Sequence, residues 1–271
     1  MEHQLSCTVR VTHFSYVFRA DGNVIPFINF GPAIAIGGDK VITKLPVACL
    51  DDKSDFILSS DDELRITIGS RERPLVKVIS RVADMRPTDL TAPVCPVCGS
   101  PLLNSDAQHS IGCCVNLACK AQTLNNSISL LSSLGLYAQG QTLRILTACL
   151  NNGKLRDPVD IFLLDVHDIA TDLISDAQAR AFIRYIHSVR GHISLTQILR
   201  GLNIPNLTAD VIEKMNLVFN ARRYTLLDID KFFDAEVLES IRGIDWSPWT
   251  DFISVADNRV ILKRLCTILH I

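Results

Sequence analysis

This sequence has little excess charge, few aromatic residues and no long apolar run, and each shortage removes a class of protein. Lys and Arg number 27 against 29 Asp and Glu, a formal net charge of −2. Bulk charge therefore does not draw the chain to nucleic acid, and any grip on phosphate must come from local surfaces. Aromatic residues are 6% of the chain. In the N-terminal part only Phe14, Tyr16, Phe18, Phe27 and Phe30 could stack on bases, and most of them alternate as core residues do. No stretch approaches the roughly 20 apolar residues that span a bilayer, and MEHQLSCTVR lacks the apolar centre of a secretory leader. No P-loop, HExxH or Ser/His/Asp order offers an active site. No segment is low in complexity. What remains is 271 residues, 48% hydrophobic and 21% charged, enough for two or three folded domains.

The nine cysteines, with no leader, predict a reducing, cytoplasmic compartment. Four of them stand in CPVCGSPLLNSDAQHSIGCCVNLACKAQ as Cys95-x2-Cys98 and Cys114-x4-Cys119, with fifteen residues between the pairs. Two tight knuckles at this spacing can converge on one Zn²⁺, which takes four thiolates tetrahedrally. Cys113 could replace Cys114 as third ligand, and the alternatives to zinc are a chance cluster of buried thiols or a disulfide pair. Four protein thiolates leave no open coordination position, so the expected metal is structural. Cys7, Cys49, Cys149 and Cys266 lie in apolar surroundings and read as small core residues.

The first ninety residues alternate short Val-, Ile- and Phe-rich runs with Gly, Pro and Asp, which predicts strands at Thr8–Phe18, Val24–Phe30, Lys40–Cys49, Glu63–Ile68 and Leu75–Val82. Five strands of this length suggest a small OB-type barrel. After Ala121 the periodicity becomes helical. Ser175 and Gln178 form a capping box ahead of Phe182, Ile183, Ile186 and Val189, with Gly191 expected at C′. Asp157-Pro158 opens another helix, and Thr142–Leu150, Thr208–Phe219, Asp234–Ile241 and Asn258–Leu269 supply more. The predicted fold class is multidomain α and β: an OB-type β-barrel at 1–90, a four-cysteine zinc module at 91–124 and an all-α helix-hairpin-helix array at 125–271. Two runs are locally basic. Leu64 to Arg86 carries six cations against two acids, and Gln178 to Arg200 carries four arginines and two histidines against none; each is either a solvated face or a phosphate-binding one.

This order of parts resembles the C-terminal half of the bacterial NAD-dependent DNA ligases. The likeness is sharpest at the cysteines, where the family reads C-P-x-C-G-S, a spacer, then C-x-N-x-x-C-P-A-Q. Here the text is Cys95-Pro-Val-Cys98-Gly-Ser100 and Cys114-Val-Asn116-Leu-Ala-Cys119-Lys-Ala121-Gln122. The register of Asn116 and Ala121-Gln122 favours Cys114 over Cys113, and Lys120 stands where the family usually has proline. The family's R-T-G-x-x-T-P turn is similar to Arg19-Ala-Asp-Gly22-Asn-Val-Ile-Pro26, with one extra residue, which nominates Arg19 and Gly22 for DNA contact. Its R-A-G-D-V-I-P segment aligns with Ile68-Gly-Ser-Arg71-Glu-Arg73-Pro74; the family arginine is Ile68 here, leaving Arg71 and Arg73 to supply the charge. The hairpin glycines of the family are mostly missing. The best remnant is Gly201-Leu-Asn203-Ile-Pro-Asn-Leu-Thr208, in which Asn203 can take a left-handed conformation and Thr208 caps the next helix, which nominates Gly201 and Asn203 for close approach to DNA.

The family's chemistry needs a lysine in K-x-D-G, and neither Lys40 nor Lys44, the only lysines before Lys53, is followed by x-Asp-Gly. The resemblance therefore implies a non-catalytic DNA-binding subunit of a split NAD-dependent DNA ligase, similar to the two-gene enzymes of some tailed bacteriophages, acting in the host cytoplasm if phage-encoded. Its expected partners are nicked double-stranded DNA and a separate adenylylating ligase subunit, which would use the NAD. The zinc would be a rigid support between barrel and helices, and the family's C-terminal BRCT domain is not expected here. The competing expectations are a stand-alone zinc-containing protein that binds nucleic acid and a protein-interaction adaptor.

Overall fold

Strict alternation sets the faces of the N-terminal sheet. In the structure, a computed structural model that describes residues 5–37, 40–52, 56–68, 74–82, 88–90, 93–104, 109–138, 140–170, 174–239, 241 and 243–270, Val9 and Val11 turn inward while Thr8, Arg10 and Thr12 face solvent. The strands are β1 (Leu5–Phe18), β2 (Asn23–Gly37), β3 (Lys40–Pro46), β4 (Ile57–Leu58), β5 (Glu63–Ile68), β6 (Leu75–Ser80) and β7 (Thr88–Asp89). β1 pairs antiparallel with β2 on one side and β5 on the other; β3 extends β2, and β6 extends β5. β4 and β7 form a separate antiparallel pair. The chain divides into two compact units, the first made of Met1–Arg19, Asn23–Pro96 and Asn104–Cys113, the second of Ala20–Gly22, Val97–Leu103 and Cys114–Ile271.

The strand expected over Lys40–Cys49 ends at Pro46, and Val47–Cys49 is a 3₁₀ turn. Proline has no N–H to continue the ladder. Beyond the turn Leu50 forms a parallel bridge with Val76 of β6, and Asp51 N–H donates to Val76 O at 2.9 Å. Val9, Val11, Ile28, Phe30, Leu45, Leu64, Ile66 and Val76 share one core. A buried carboxylate, Asp62, fixes the entry to β5 by accepting from Ser59 N–H and Val82 N–H, both at 2.8 Å.

The second unit is helical from Thr123 onward: α1 (Thr123–Ser133), α2 (Gln141–Asn151), α3 (Val166–Ile169), α4 (Asp176–His187), α5 (Leu195–Gly201), α6 (Ala209–Ala221), α7 (Ala235–Glu239), α8 (Ser247–Ser254) and α9 (Ala256–His270). Short polar side chains start most of these elements. Asp157/Asp160, Asp165/Asp168, Ser175/Gln178 and Ser194/Gln197 are reciprocal capping boxes, and Thr208 accepts from Val211 N–H. Each cap removes orphaned donors that would otherwise cost about 1 kcal/mol. Asp157-Pro158 opens a 3₁₀ segment, Pro158–Leu163, rather than an α-helix; a new capping box at Asp165 restarts the chain before a full α-helix can extend. Gly191 is not the C′ residue of α4. That helix ends at His187, and Gly191, at φ 75°, closes a later turn and donates its N–H to Leu269 O at 2.8 Å.

α9 ties the unit together. Arg264 reaches Asp160 at 2.7 Å and Asp157 at 3.2 Å, while burial, then the neighbouring Asp160 carboxylate, raise the Asp157 pKa against the pull of that guanidinium. Lys263 meets Asp230 at 3.0 Å. Trp249 is fully buried and donates its indole N–H to Phe232 O at 2.7 Å, so it is a core residue. Among the described residues no helix is long and apolar enough to cross a membrane.

Gly201 sits where α5 crosses α1. A methyl group there would fall 2.9 Å from Leu130 Cα and closer still to Ser133 Oγ, so the two helices approach at glycine distance. Gly201→Ala is expected to destabilise the helical unit by about 1–3 kcal/mol through overpacking, read as a lower urea midpoint by circular dichroism at 222 nm.

Candidate metal centre and nucleic-acid contacts

The Sγ atoms of Cys95, Cys98, Cys114 and Cys119 all lie within 4.8 Å of one another. Cys98 and Cys114 are 3.7 Å apart, too far for a disulfide of about 2.05 Å. A tetrahedron with Zn–S bonds of about 2.3 Å has edges of roughly 3.8 Å, so the spacing fits a pair of ligands on one metal. Three of the four thiols are buried and Cys98 is partly so, and none of the nine cysteines forms a disulfide. The arrangement fits a zinc module. Cys114, not Cys113, belongs to it: both lie on the short strand β9 (Gly112–Cys114), which follows β8 (Leu102–Leu103), and successive strand residues point to opposite faces.

The residues flanking the thiols explain why the second knuckle holds its shape. Asn116 uses both ends of its amide: Oδ1 accepts from Ala118 N–H at 2.8 Å, and Nδ2 donates to Ser100 Oγ, beside the first knuckle, at 2.9 Å. Cys119 N–H donates to Asn116 O, and Cys119 O receives the N–H groups of Gln122 and Thr123. The knuckle thereby becomes the start of α1, whose first residue also donates its hydroxyl to Cys119 O and Arg156 O. Gln122 is buried and donates to Gly22 O at 3.3 Å, and Cys114 N–H donates to the same carbonyl at 3.0 Å. A third amide, Asn258 of α9, is fully buried against the loop Val115–Leu117. Sequence reasoning missed Asn258 because it stands about 140 residues away on what reads as an ordinary helix.

The residues nominated for DNA contact have mixed placements. Arg19 N–H donates to Asn23 O at 2.9 Å and closes the β1–β2 turn. Gly22, at φ 83°, has its carbonyl committed to Cys114 and Gln122. Arg71 and Arg73 lie outside the described residues. Gly201 is buried against α1, so its lack of a side chain already has a reason in packing. Asn203 adopts the left-handed conformation expected of it, at φ 50°, and its side-chain amide donates to Ala20 O at 3.5 Å. The turn Ala20–Gly22 and the hairpin after α5 therefore meet.

Two further groups of cations emerge. Arg65 of β5 and Lys77 of β6 are register partners, exposed on one sheet face, and neither forms an ion pair among the described residues. Like charges directly opposite each other weaken a sheet, so an anion beside them would remove a cost. On α4, Arg180 and Arg184 are exposed one turn apart and likewise unpaired among the described residues. Both pairs sit in the basic runs of the sequence, where helical period could have singled out Arg180 and Arg184, while Arg65 and Lys77 meet only through strand register. Phe30 is buried in the sheet core, and Phe14 packs against it, so neither is available as a stacking platform.

No protein-family model matches the chain. It is 24% identical to the DNA ligase of Nitratidesulfovibrio vulgaris (strain DSM 19637 / Miyazaki F) over 95% of its own length and 32% of that protein. Against the DNA ligase of Nitratidesulfovibrio vulgaris strain Hildenborough it is 27% identical over 78% of the chain and 28% of the relative. Against that of Buchnera aphidicola subsp. Acyrthosiphon pisum (strain 5A) it is 24% identical over 80% of the chain and 31% of the relative. The chain thus spans about a third of the length of the curated relatives it matches, consistent with a C-terminal part.

The geometry separates the two adjacent cysteines. Purified protein is expected to carry one zinc per chain by inductively coupled plasma mass spectrometry, with Cys98→Ser and Cys114→Ser losing most of it and Cys113→Ser retaining it. Equal loss in both the Cys113 and Cys114 variants would contradict the assignment.

Proposed function

We propose that this chain supplies the DNA-binding part of an NAD-dependent DNA ligase and works with an adenylylating domain carried by a separate chain. The observation that carries the reading is the likeness to DNA ligases along nearly the whole chain, joined to a four-cysteine cluster whose knuckle is built by the residues, Asn116 and Gln122, that mark the family's zinc motif. No K-x-D-G stands in these 271 residues, so the lysine that takes AMP belongs elsewhere.

Residues 1–90 act as an OB-type barrel, a reading supported by the parallel bridge from Leu50 to Val76 that brings the end of β3 to β6. Residues 91–124 form the zinc module, with Cys95, Cys98, Cys114 and Cys119 as ligands. Residues 125–271 form four helix-hairpin-helix units, α1–α2, α3–α4, α5–α6 and α7–α8. Such hairpins hold phosphate with backbone N–H groups at the start of the second helix. Asn203 and Gly243, at φ 50° and 81°, supply left-handed turns in the third and fourth hairpins, and Gly135 and Gly140, at φ 70° and 89°, in the first.

In this mechanism the chain does no covalent chemistry. The partner would transfer AMP from NAD⁺ to its own lysine and then to the 5′-phosphate of a nick, after which the 3′-hydroxyl displaces AMP. Joining requires both ends of the nick to stay aligned through three steps, and alignment is worth several kcal/mol of barrier. Arg65 with Lys77, and Arg180 with Arg184, would each contact duplex phosphates from their own unit. The duplex is favoured over a single strand because Phe14 and Phe30 are engaged in the core. A structural zinc is worth roughly 10–16 kcal/mol to the folding of a small module. The place of action is the cytoplasm, where the chromosome or a phage genome lies.

The reading is tested by a nick-sealing assay with NAD⁺ on this chain alone, the nucleotidyltransferase chain alone and the mixture. Sealing is expected only in the mixture, and efficient sealing by the nucleotidyltransferase chain alone would end the proposal. Nicked-duplex affinity should fall steeply with salt, and Arg65→Ala or Lys77→Ala should each flatten the log–log slope by about 1. Salt-independent binding, or none, would instead favour a protein adaptor. Cys98→Ser should abolish nick binding and leave the partner's self-adenylylation unchanged.

A further inference from the structure

We infer that Asn258, on α9, is a positioning residue of the metal centre, and that zinc binding and the docking of α9 are thermodynamically coupled. Asn258 is fully buried, and its amide is completely used. Its Oδ1 accepts from Leu117 N–H at 2.8 Å, and its Nδ2 donates to Val115 O and to Phe252 O, both at 2.9 Å. Val115 and Leu117 lie between the ligands Cys114 and Cys119, so one side chain fixes the backbone on both sides of Asn116 inside the second knuckle. Phe252 O is in the last turn of α8, where carbonyls lack helical partners. The same amide therefore satisfies a helix terminus and a metal loop.

A buried polar group with three partners is costly to leave half satisfied. If the knuckle opens when metal is removed, Asn258 loses two partners in a site closed to water, and α9 loses its hold at that end. If Asn258 is removed, Leu117 N–H and Val115 O lose their partner, and the metal must hold a loop whose backbone is unsatisfied at those two points. Linkage requires the two effects to be equal in free energy. The neighbouring supports do not replace it, because Asn116 bonds to Ala118 and Ser100 and Gln122 to Gly22. The inference rests on the four thiolates binding zinc and is independent of any role on DNA.

The experiment measures zinc affinity of the full chain by competition with a chromophoric chelator. Asn258→Ala is expected to weaken binding about tenfold or more, the range typical of groups that orient metal ligands. Asn258→Asp should bind zinc no more tightly than Asn258→Ala, since it keeps the acceptor for Leu117 N–H but sets a buried carboxylate against two carbonyl oxygens. Leu262→Ala, buried on the same helix, should lower stability and weaken zinc less than Asn258→Ala, because it leaves the bonds from Asn258 to the knuckle in place. Asn258→Ala weakening zinc no more than Leu262→Ala would overturn the coupling. The reciprocal measurement needs no variant: hydrogen exchange of wild-type protein before and after zinc removal should show faster exchange in α9 around residues 256–262, and unchanged protection there would also overturn it. A chain that takes up no zinc would overturn the metal assignment and the coupling with it.

Discussion

Four thiol groups held within one small volume are the constraint on which the middle of this chain depends. As thiolates they repel, and as thiols they are poor hydrogen-bonding partners, so only a cation makes the cluster favourable. Everything near it serves to present sulfur from a backbone whose only regular parts are the short strand β9 and the start of α1. Asn116 turns the chain back on itself, Cys119 hands its carbonyl to the first residues of α1, and Gln122 and Cys114 share the carbonyl of Gly22. Several backbone groups of the knuckle are satisfied by the side-chain amides of Asn116 and Asn258, which can donate and accept at once.

A second kind of economy governs the helices. They are short, and none of them could stand alone in water. Their starts are fixed by Ser, Thr and Asp side chains that accept from the first-turn N–H groups, often with a Gln or Asp returning the bond. Their packing is then completed by α9, which pairs Arg264 with two of those capping carboxylates, Lys263 with Asp230 and Leu269 O with Gly191 N–H. A single helix thus fastens segments drawn from widely separated parts of the helical unit.

The strands were legible because a pleated ribbon alternates its faces, and Val9/Val11 or Leu64/Ile66 repeat every second residue. The cysteine spacing and the Ser175 and Thr208 caps were legible for the same reason: the interaction lies within a few residues along the chain. What sequence did not disclose is long-range. Pro46 ended a strand that hydrophobicity alone would have continued, Asp157-Pro158 began a 3₁₀ segment, and Gly191 served a turn against α9 instead of a helix end. Gly201 looked like a residue kept bare for a ligand, and in the structure Leu130 and Ser133 occupy the space beside it. Arg65 and Lys77 became neighbours only once strand register was known. Asn258 carried no local mark at all.

The separation of 141 positions from Leu117 to Asn258 gives the metal loop a history as well as a geometry. A ribosome adding about 5–20 residues per second needs on the order of ten seconds to cover that distance. All four cysteines leave the exit tunnel long before the amide that braces the loop between them. If Asn258 braces the loop as inferred above, a nascent knuckle would hold its ion without that brace, and a helix made much later would set the final grip.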